Sequence, residues 1–548
     1  MNTKISIGCL AVCLGVACGE DPEPEATGPS GTQGMDSSSG DSVGTTVSPT
    51  ESADETSSSG GVLPPPEGVL AGGIAIDVVE LNQGVGITLA DGGLLVPSEG
   101  RAAPVIAGRP ALVRASYQLA PDFVPRPLIG RLWLRSGSEE LVYDDERMVA
   151  GPADWTALDG TFHWRVEAAE LTDQTEVRVQ LLEVDPDAEP VGAVDGAELP
   201  AGDYVALEAW GEPMVVELVL VPFTCSGQPD LVLDPVDLAD FEAYLYNTMP
   251  VQEIVMTVHA PIPSASCSEF DAAETDLPAL REAEGAEPWV YYGGLMPGDG
   301  GGYSIAVEGG DQMDYRRTFA NHAWRSYGLT FDLFAHELGH NHGRSHTFED
   351  PEFPGNTADL CGTIDTYGWG PRPAMMPSSG YGNDLDLGLD WFDPSEELLL
   401  PTTRPCAGLP DGNRYNFNDI MSYIYPFWVS AHTYAATAER VRLISSWAAM
   451  ARPPVPPGRT LRLVIGPEAD VHRTSHAGAH AVERADAWAS CGRRRLPVRT
   501  TRSWLERPRG GGLERFAYVG FELPVPADVD PGSCVLDVEG LRLPFVQP

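Results

Sequence analysis

The stretch His336-Glu337-Leu338-Gly339-His340-Asn341-His342-Gly343-Arg344-Ser345-His346 constrains the fold more than any other part of the chain. It reads HExxHxxGxxH. On a helix His336 and His340 are four residues apart, so both imidazoles leave one face about 6 Å apart along the axis and can hold one metal ion. Glu337 sits beside them, where its carboxylate can take a proton from a water at the metal's open position. Gly343 tolerates positive φ, which ends the helix and turns the chain so that His346 arrives as a third ligand. Three neutral imidazoles leave the full double charge on zinc, the condition for lowering the pKa of bound water toward roughly 7. HExxH alone is compatible with an ordinary solvated helix face. The complete string fixes five residue types in one register and is not explained that way. His342 lies two residues past His340, off the ligand face, and reads as a surface residue or as support behind the ligands.

A second segment agrees with the first. Asn418-Asp419-Ile420-Met421-Ser422-Tyr423 resembles the Met-turn beneath the zinc in the metzincin clan of metallopeptidases, whose long motif is the HExxHxxGxxH seen here. HELGHNH is similar to the reprolysin and adamalysin branch, and DIMSY to the serralysin and astacin style of turn. Thr347 stands where adamalysins have Asp and astacins have Glu, and His346-Thr347-Phe348 is also seen in pappalysin-like enzymes. The resemblance therefore points to a bacterial lipoprotein or secreted metzincin outside the well-described branches. It implies that Met421 forms an apolar floor under the imidazoles and that Tyr423 stands near the metal, able to donate a hydrogen bond to an oxyanion. The other reading of Tyr423 is a core aromatic. The resemblance also implies an edge strand over the cleft that pairs with an extended substrate, a position that Tyr303 to Val307 matches by order.

The N-terminus speaks to location. Lys4 precedes a short apolar run, Ile5 to Ala17, too short to span a bilayer and the right size for a secretory segment. Leu14-Gly15-Val16-Ala17-Cys18 looks like a lipobox, with Gly15 where Leu is usual. Two outcomes are open: a lipid on Cys18 of a cell-surface lipoprotein, or signal cleavage near Ala17 and secretion. Residues 19–68 are Ser, Thr, Gly, Pro, Asp and Glu with almost no large apolar side chain, the composition of an extended acidic tether.

Composition excludes some partners. The net charge is −46 and Lys4 is the only lysine, so nucleic acid is a poor partner and contact with a membrane is expected only through a lipid. Cys9, Cys13 and Cys18 belong to the export segment. Cys225, Cys267, Cys361, Cys406, Cys491 and Cys534 are an even set in an exported chain. Neighbour pairing is the expectation: 225 with 267, 361 with 406, 491 with 534.

The folded part reads as an α+β, multidomain chain. Residues 69–212 carry short strand-like runs, Ile74 to Leu81, Pro110 to Leu119, Ile129 to Leu134 and Glu176 to Leu182, expected to form a β-sandwich accessory domain. An inhibitory propeptide is the other reading, though without a cysteine to block zinc. Residues 213–452 alternate strands and helices, as expected of a metzincin-like α/β catalytic domain with a mostly parallel sheet. After the proline-rich linker at 453–457, residues 458–548 read as a small C-terminal β domain. His472, His476 and His480 are spaced by four, but Gly478 and the Thr-Ser stretch argue for a loop, not a metal stripe. Asp384, Asp386, Asp390 and Asp393 are a calcium candidate without EF-hand register.

The expected function is an exported zinc endopeptidase acting on protein or glycoprotein substrates. Zinc on His336, His340 and His346 is its one catalytic metal, and Glu337 is its general base. The alternative is a surface-attached protein- or glycan-binding lipoprotein whose zinc site is latent.

Overall fold

Between residues 74 and 183 apolar and polar side chains alternate along segments separated by Gly, Pro and Asp, the pattern of half-buried strands. The strands are β1 (Ile74–Asn82), β2 (Gly86–Asp91), β3 (Ala111–Leu119), β4 (Arg126–Ser136), β5 (Glu139–Val149), β6 (Phe162–Val166) and β7 (Thr175–Glu183). The computed structural model describes residues 68–154, 158–233, 235–298, 300–305, 316–323, 330–344, 418–421, 427–448, 458–466, 471–477, 487–509, 512–538 and 541–546. One antiparallel sheet runs β2-β1-β3-β6, and in a second sheet β4 lies between β5 and β7. Ile76, Leu81, Val113 and Phe162 from the first sheet meet Leu132, Leu134, Val177 and Leu181 from the second in one buried core. That is two-layer packing of sheet on sheet.

From residue 215 onward strands alternate with helices. In order these are β8 (Val215–Thr224), α1 (Pro235–Thr248), β9 (Glu253–Val258), α2 (Leu277–Glu284), β10 (Val290–Met296), β11 (Gly302–Ile305), β12 (Thr318–His322), α3 (Thr330–Asn341) and α4 (Ala431–Ala448). The sheet order is β9-β8-β10-β12-β11; the first four strands are parallel and β11 runs antiparallel to β12. Phe241, Phe334, Leu338 and Val441 pack against one set of sheet residues, including Leu218 and Tyr291. Phe270 and Leu277 pack against another set, including Val221 and Tyr292. A sheet covered on both faces explains the nearly continuous apolar run of β8.

One helical stretch escapes the sequence reading. Glu269–Asp271, a π-helical turn at Ala272–Asp276 and α2 run together into a C-cap at Gly285, whose φ is 62°. Its buried positions include Glu269, Glu274 and Arg281, so polar residues occupy the face where an apolar stripe would be sought. Tyr303 donates to Glu274 at 2.6 Å, the Gly301 N–H donates to Glu269 at 3.2 Å, and Arg281 donates to the Glu287 carbonyl at 3.1 Å.

The C-terminal strands are β13 (Gly458–Ile465), β14 (Val471–Ala477), β15 (Ala487–Cys491), β16 (Arg494–Arg509), β17 (Gly512–Pro526), β18 (Cys534–Val538) and β19 (Leu541–Pro544). They are continuous with the preceding sheet, because β16 pairs antiparallel with β11 from Gly302↔Glu506 to Ile305↔Ser503. This corrects the expectation of β11 as a free edge: it has a neighbour on each side. Residues 471–477 form a strand where a loop was expected, so His472 and His476 do not share a helical stripe, and His480 lies outside the described residues. The pairs Cys225–Cys267 and Cys491–Cys534 form as neighbour pairing expects, with Cα atoms 5.6 and 4.0 Å apart. Cys361 and Cys406 lie outside the described residues.

Two buried guanidiniums fasten the flanking strands to the helices. Arg109, fully buried, donates to the carbonyls of Tyr246 at 2.6 Å and Val251 at 2.9 Å and also to that of Met249, at the C-terminal end of α1. The Tyr246 carbonyl has no partner inside the helix, since residue 250 is a proline, and the negative end of the helix dipole favours a cation there. Arg462 on β13 donates to Glu274 at 2.7 Å and to Glu522 on β17 at 2.6 Å, with all three side chains buried. Arg109→Met is expected to lower stability by about 2–4 kcal/mol, since it strands several buried carbonyls; an unchanged calorimetric Tm would contradict that role.

His476 on β14 sits beside the same network. Burial first, then the charges of Arg462, Arg459 and Arg316, push it down from 6.5 to about 3. The folded state thus binds fewer protons than the unfolded state between those values. The stabilisation is complete above pH 6.5 and is lost as pH falls toward 3. His476→Leu should flatten the fall of Tm across this acid range, and parallel Tm profiles would count against it.

Candidate metal centre

Helix α3 is buried on all sides, which its sequence allows because Phe331, Phe334, Ala335 and Leu338 recur at helical spacing. Phe334 seats on the bare Cα of Gly293 in β10, where a Cβ would lie 2.6 Å from the ring. It also stacks edge-on with Phe319 and Phe241, at centroid distances of 4.7 and 5.1 Å. This close approach of helix to sheet fixes the level of α3, whose far side carries His336 and His340 while Glu337, three residues from Phe334, turns toward β11.

The two imidazoles are oriented by main-chain carbonyls. His336 Nδ1 lies 2.7 Å from the Ile420 carbonyl and His340 Nδ1 lies 2.6 Å from that of Arg344. A carbonyl only accepts, so each Nδ1 carries a proton, which in the neutral form of the ring leaves the lone pair on Nε2. The ring centroids are 4.9 Å apart with planes at 86°. Metal-bound histidines are held in this way, the second nitrogen fixed by a carbonyl or carboxylate.

Gly343 ends the helix as its position in the string requires. Its φ is 79°, the Arg344 N–H donates to the Gly339 carbonyl at 2.9 Å, and the Gly343 N–H donates to that of His340 at 2.8 Å. This pair of bonds is a Schellman cap. The same turn brings the Arg344 carbonyl onto His340, so the cap and the orientation of that imidazole are one structure.

Beneath the helix, Met421 is fully buried and its sulfur occupies the space that a Cβ on Gly339 would take. The turn carrying Met421 is pinned by Asp419, whose Oδ1 accepts from the Met421 N–H at 2.8 Å and whose Oδ2 accepts from the Ser430 N–H at 3.1 Å. Glu337 is fully buried, its carboxylate against the Cα of Gly302 in β11. Asn341 ties the end of α3 to the sheet, donating to the carbonyls of Ile305 at 3.2 Å and Thr318 at 3.1 Å.

The structure therefore brings together His336, Glu337, His340, Gly343 and Met421. His346, Tyr423, Cys18, Asp384, Asp386, Asp390 and Asp393 lie outside the described residues, and among the described residues no group of three metal-ligating side chains forms. His342 corrects the surface reading: it is buried against Tyr291 at 5.1 Å between centroids. Burial, then Arg440, Arg317 and Arg344, push it down to about 3, so it is a neutral core residue. Gly302, Gly339, Asp419 and Asn341 were not assigned roles from sequence. Only the aspartate that opens the turn at 419 carries a local signal, since Asp commonly bonds backbone two residues on.

No protein-family model matches this sequence, and no curated protein matches it.

The donor set fits zinc: two imidazoles, each with its Nδ1 bonded to a carbonyl, on one buried helix, with a carboxylate next to them. Gly339→Ala is expected to cost about 1–3 kcal/mol by driving Met421 from its seat. The cost should shrink in a Met421→Ala background, whereas strictly additive changes in Tm would show that the two residues do not press on each other.

Proposed function

We propose that this chain is an exported zinc endopeptidase of metzincin type that cleaves protein or glycoprotein substrates. The observation that carries the reading is the pair of carbonyl-oriented imidazoles of His336 and His340 flanking the buried carboxylate of Glu337. A mostly parallel sheet above the helix, and a methionine turn whose Ile420 carbonyl holds the first histidine, support it further. His336, His340 and His346 would hold the zinc, which would supply Lewis acidity toward a water and toward the scissile carbonyl.

The chain's own residues perform the remaining work. Glu337 takes a proton from the attacking water and returns it to the leaving nitrogen, so one carboxylate serves as base and then as acid. Its burial against Gly302 keeps it close and in one place. Tyr423 donates a hydrogen bond to the oxyanion as negative charge develops. Cys18 carries a lipid and residues 19–68 form the tether, so that the enzyme acts at the cell surface. No described helix is long and apolar enough to cross a membrane.

One observation favours a second reading, a surface-attached binding protein with a latent site. The β11 side that an extended substrate would pair with is already taken by β16. Incubating the purified chain with an unfolded protein and with a folded glycoprotein separates the two: cleavage supports the peptidase, binding without cleavage the latent form.

Glu337→Ala should retain zinc and lose at least about a hundredfold in hydrolysis, the scale of general-base catalysis. Gly302→Ala, which sets a methyl against that carboxylate, should lower turnover with zinc retained. His346→Ala should lose zinc. Parent-level hydrolysis by the Glu337 variant would sink the mechanism, and unchanged turnover in Tyr423→Phe would remove that residue from it.

A further inference from the structure

The β domain at residues 74–183 carries a buried carboxyl group that the catalytic reading does not use. Glu80 lies on β1, opposite Thr88 of β2 and Arg114 of β3. It is 4% exposed, its Oε1 has no hydrogen-bond partner, and its carboxylate rests on the bare Cα of Gly86. A buried carboxyl with one oxygen lacking a hydrogen bond is costly, and such groups call for an explanation. Burial lifts it to about 8 against the opposing pull of the Arg114 guanidinium.

Glu80 lines an open concavity of about 700 Å³ together with Asp77, Asp91, Thr88, Ser116 and Gln118. Beside the concavity the β1–β3 register shifts between Ile76 and Val79, and the β1–β2 register shifts again between Val79 and Glu80. Such bulges re-aim side chains and are features of strands that carry sites. The displaced backbone is held in place: the Val78 N–H donates to Ser116 Oγ at 3.1 Å, and Gln118 Nε2 donates to Asp77 Oδ1 at 2.8 Å. Three carboxyl groups line the space, and the remaining polar groups are amide and hydroxyl.

We propose that this concavity binds an organic cation, the ammonium or guanidinium group of a basic side chain or of a small polyamine, with Glu80 as its buried anchor. The carboxyl groups of Asp77, Glu80 and Asp91 do not converge on one point as the ligands of a metal ion do. A cation with several N–H donors spread over its surface matches that arrangement, and it supplies the hydrogen-bond donor that Glu80 Oε1 lacks. The chain's net charge of −46 draws cations toward it generally, so affinity has to be traced to the concavity and not to the surface at large. The proposal does not depend on the zinc site.

The test is fluorescence anisotropy of the full chain, at physiological salt, with a labelled short peptide carrying one Lys and one Arg. Spermidine and calcium chloride serve as separate competitors. The expected result is saturable binding that Glu80→Gln weakens at least tenfold while Tm holds or rises. Glu139→Gln, the same substitution at an exposed position, should leave binding unchanged. Competition by spermidine would extend the site to free polyamines, and peptide binding without that competition would restrict it to protein side chains; both support the proposal. Should Glu80→Gln fail to fold, Asp91→Asn at the exposed rim should weaken binding at least threefold. Absence of binding by the parent, equal affinity in the Glu80 and Asp91 variants, equal losses in the Glu80 and Glu139 variants, or calcium alone occupying the site would overturn it.

Discussion

The hydrogen bond from His336 Nδ1 to the Ile420 carbonyl joins residues 84 apart in sequence and is the contact on which the centre depends. A buried carbonyl gains an N–H donor, the imidazole is held in one tautomer, and the turn carrying Met421 is fixed under helix α3. Each of these would fail without the others. A rotated His336 would leave a buried acceptor unmade and turn its Nε2 away from the neighbouring ring. The Arg344 carbonyl does the same for His340, and there the donor's partner is supplied by the helix's own cap at Gly343.

Buried guanidiniums extend that order outward. Arg109 closes the end of α1 from the first β domain, and Arg462 holds Glu274 and Glu522 from the last strands. Such groups are poor sources of net stability relative to apolar packing, but removing one member leaves the rest uncompensated in the interior. The flanking strands are therefore fastened to the central sheet through contacts that do not tolerate partial separation. The Trp428 indole adds to this by donating to the Gly84 carbonyl at 2.7 Å, just past the methionine turn.

What was legible in the sequence was local. The spacing of His336, Glu337 and His340 specifies one helix face, Gly343 specifies a cap, and cysteines spaced like 225 with 267 and 491 with 534 pair as neighbours. Strand runs such as Ile74 to Leu81 and Val215 to Val221 lie inside observed strands because alternation and continuous apolarity are local patterns too. What was not legible depends on contact at a distance. Gly302 and Gly339 are needed because Glu337 and Met421 come against their Cα atoms, which nothing in their own neighbourhood announces. The pairing of β16 with β11 is a choice of partner made across the fold, and it covers a strand that read as an edge. His342 read as a surface residue or as support behind the neighbouring histidines because its place in the string carries no signal of burial, and it is a buried core side chain.

Metal content and peptide hydrolysis measured on one sample test the central claim most directly. The purified chain from residue 68 onward should contain one zinc, cleave members of a peptide library, lose both on treatment with a chelator, and regain both when zinc is restored. A chain that cleaves peptides equally well after its zinc has been stripped, or one that binds no zinc at all, would contradict the account.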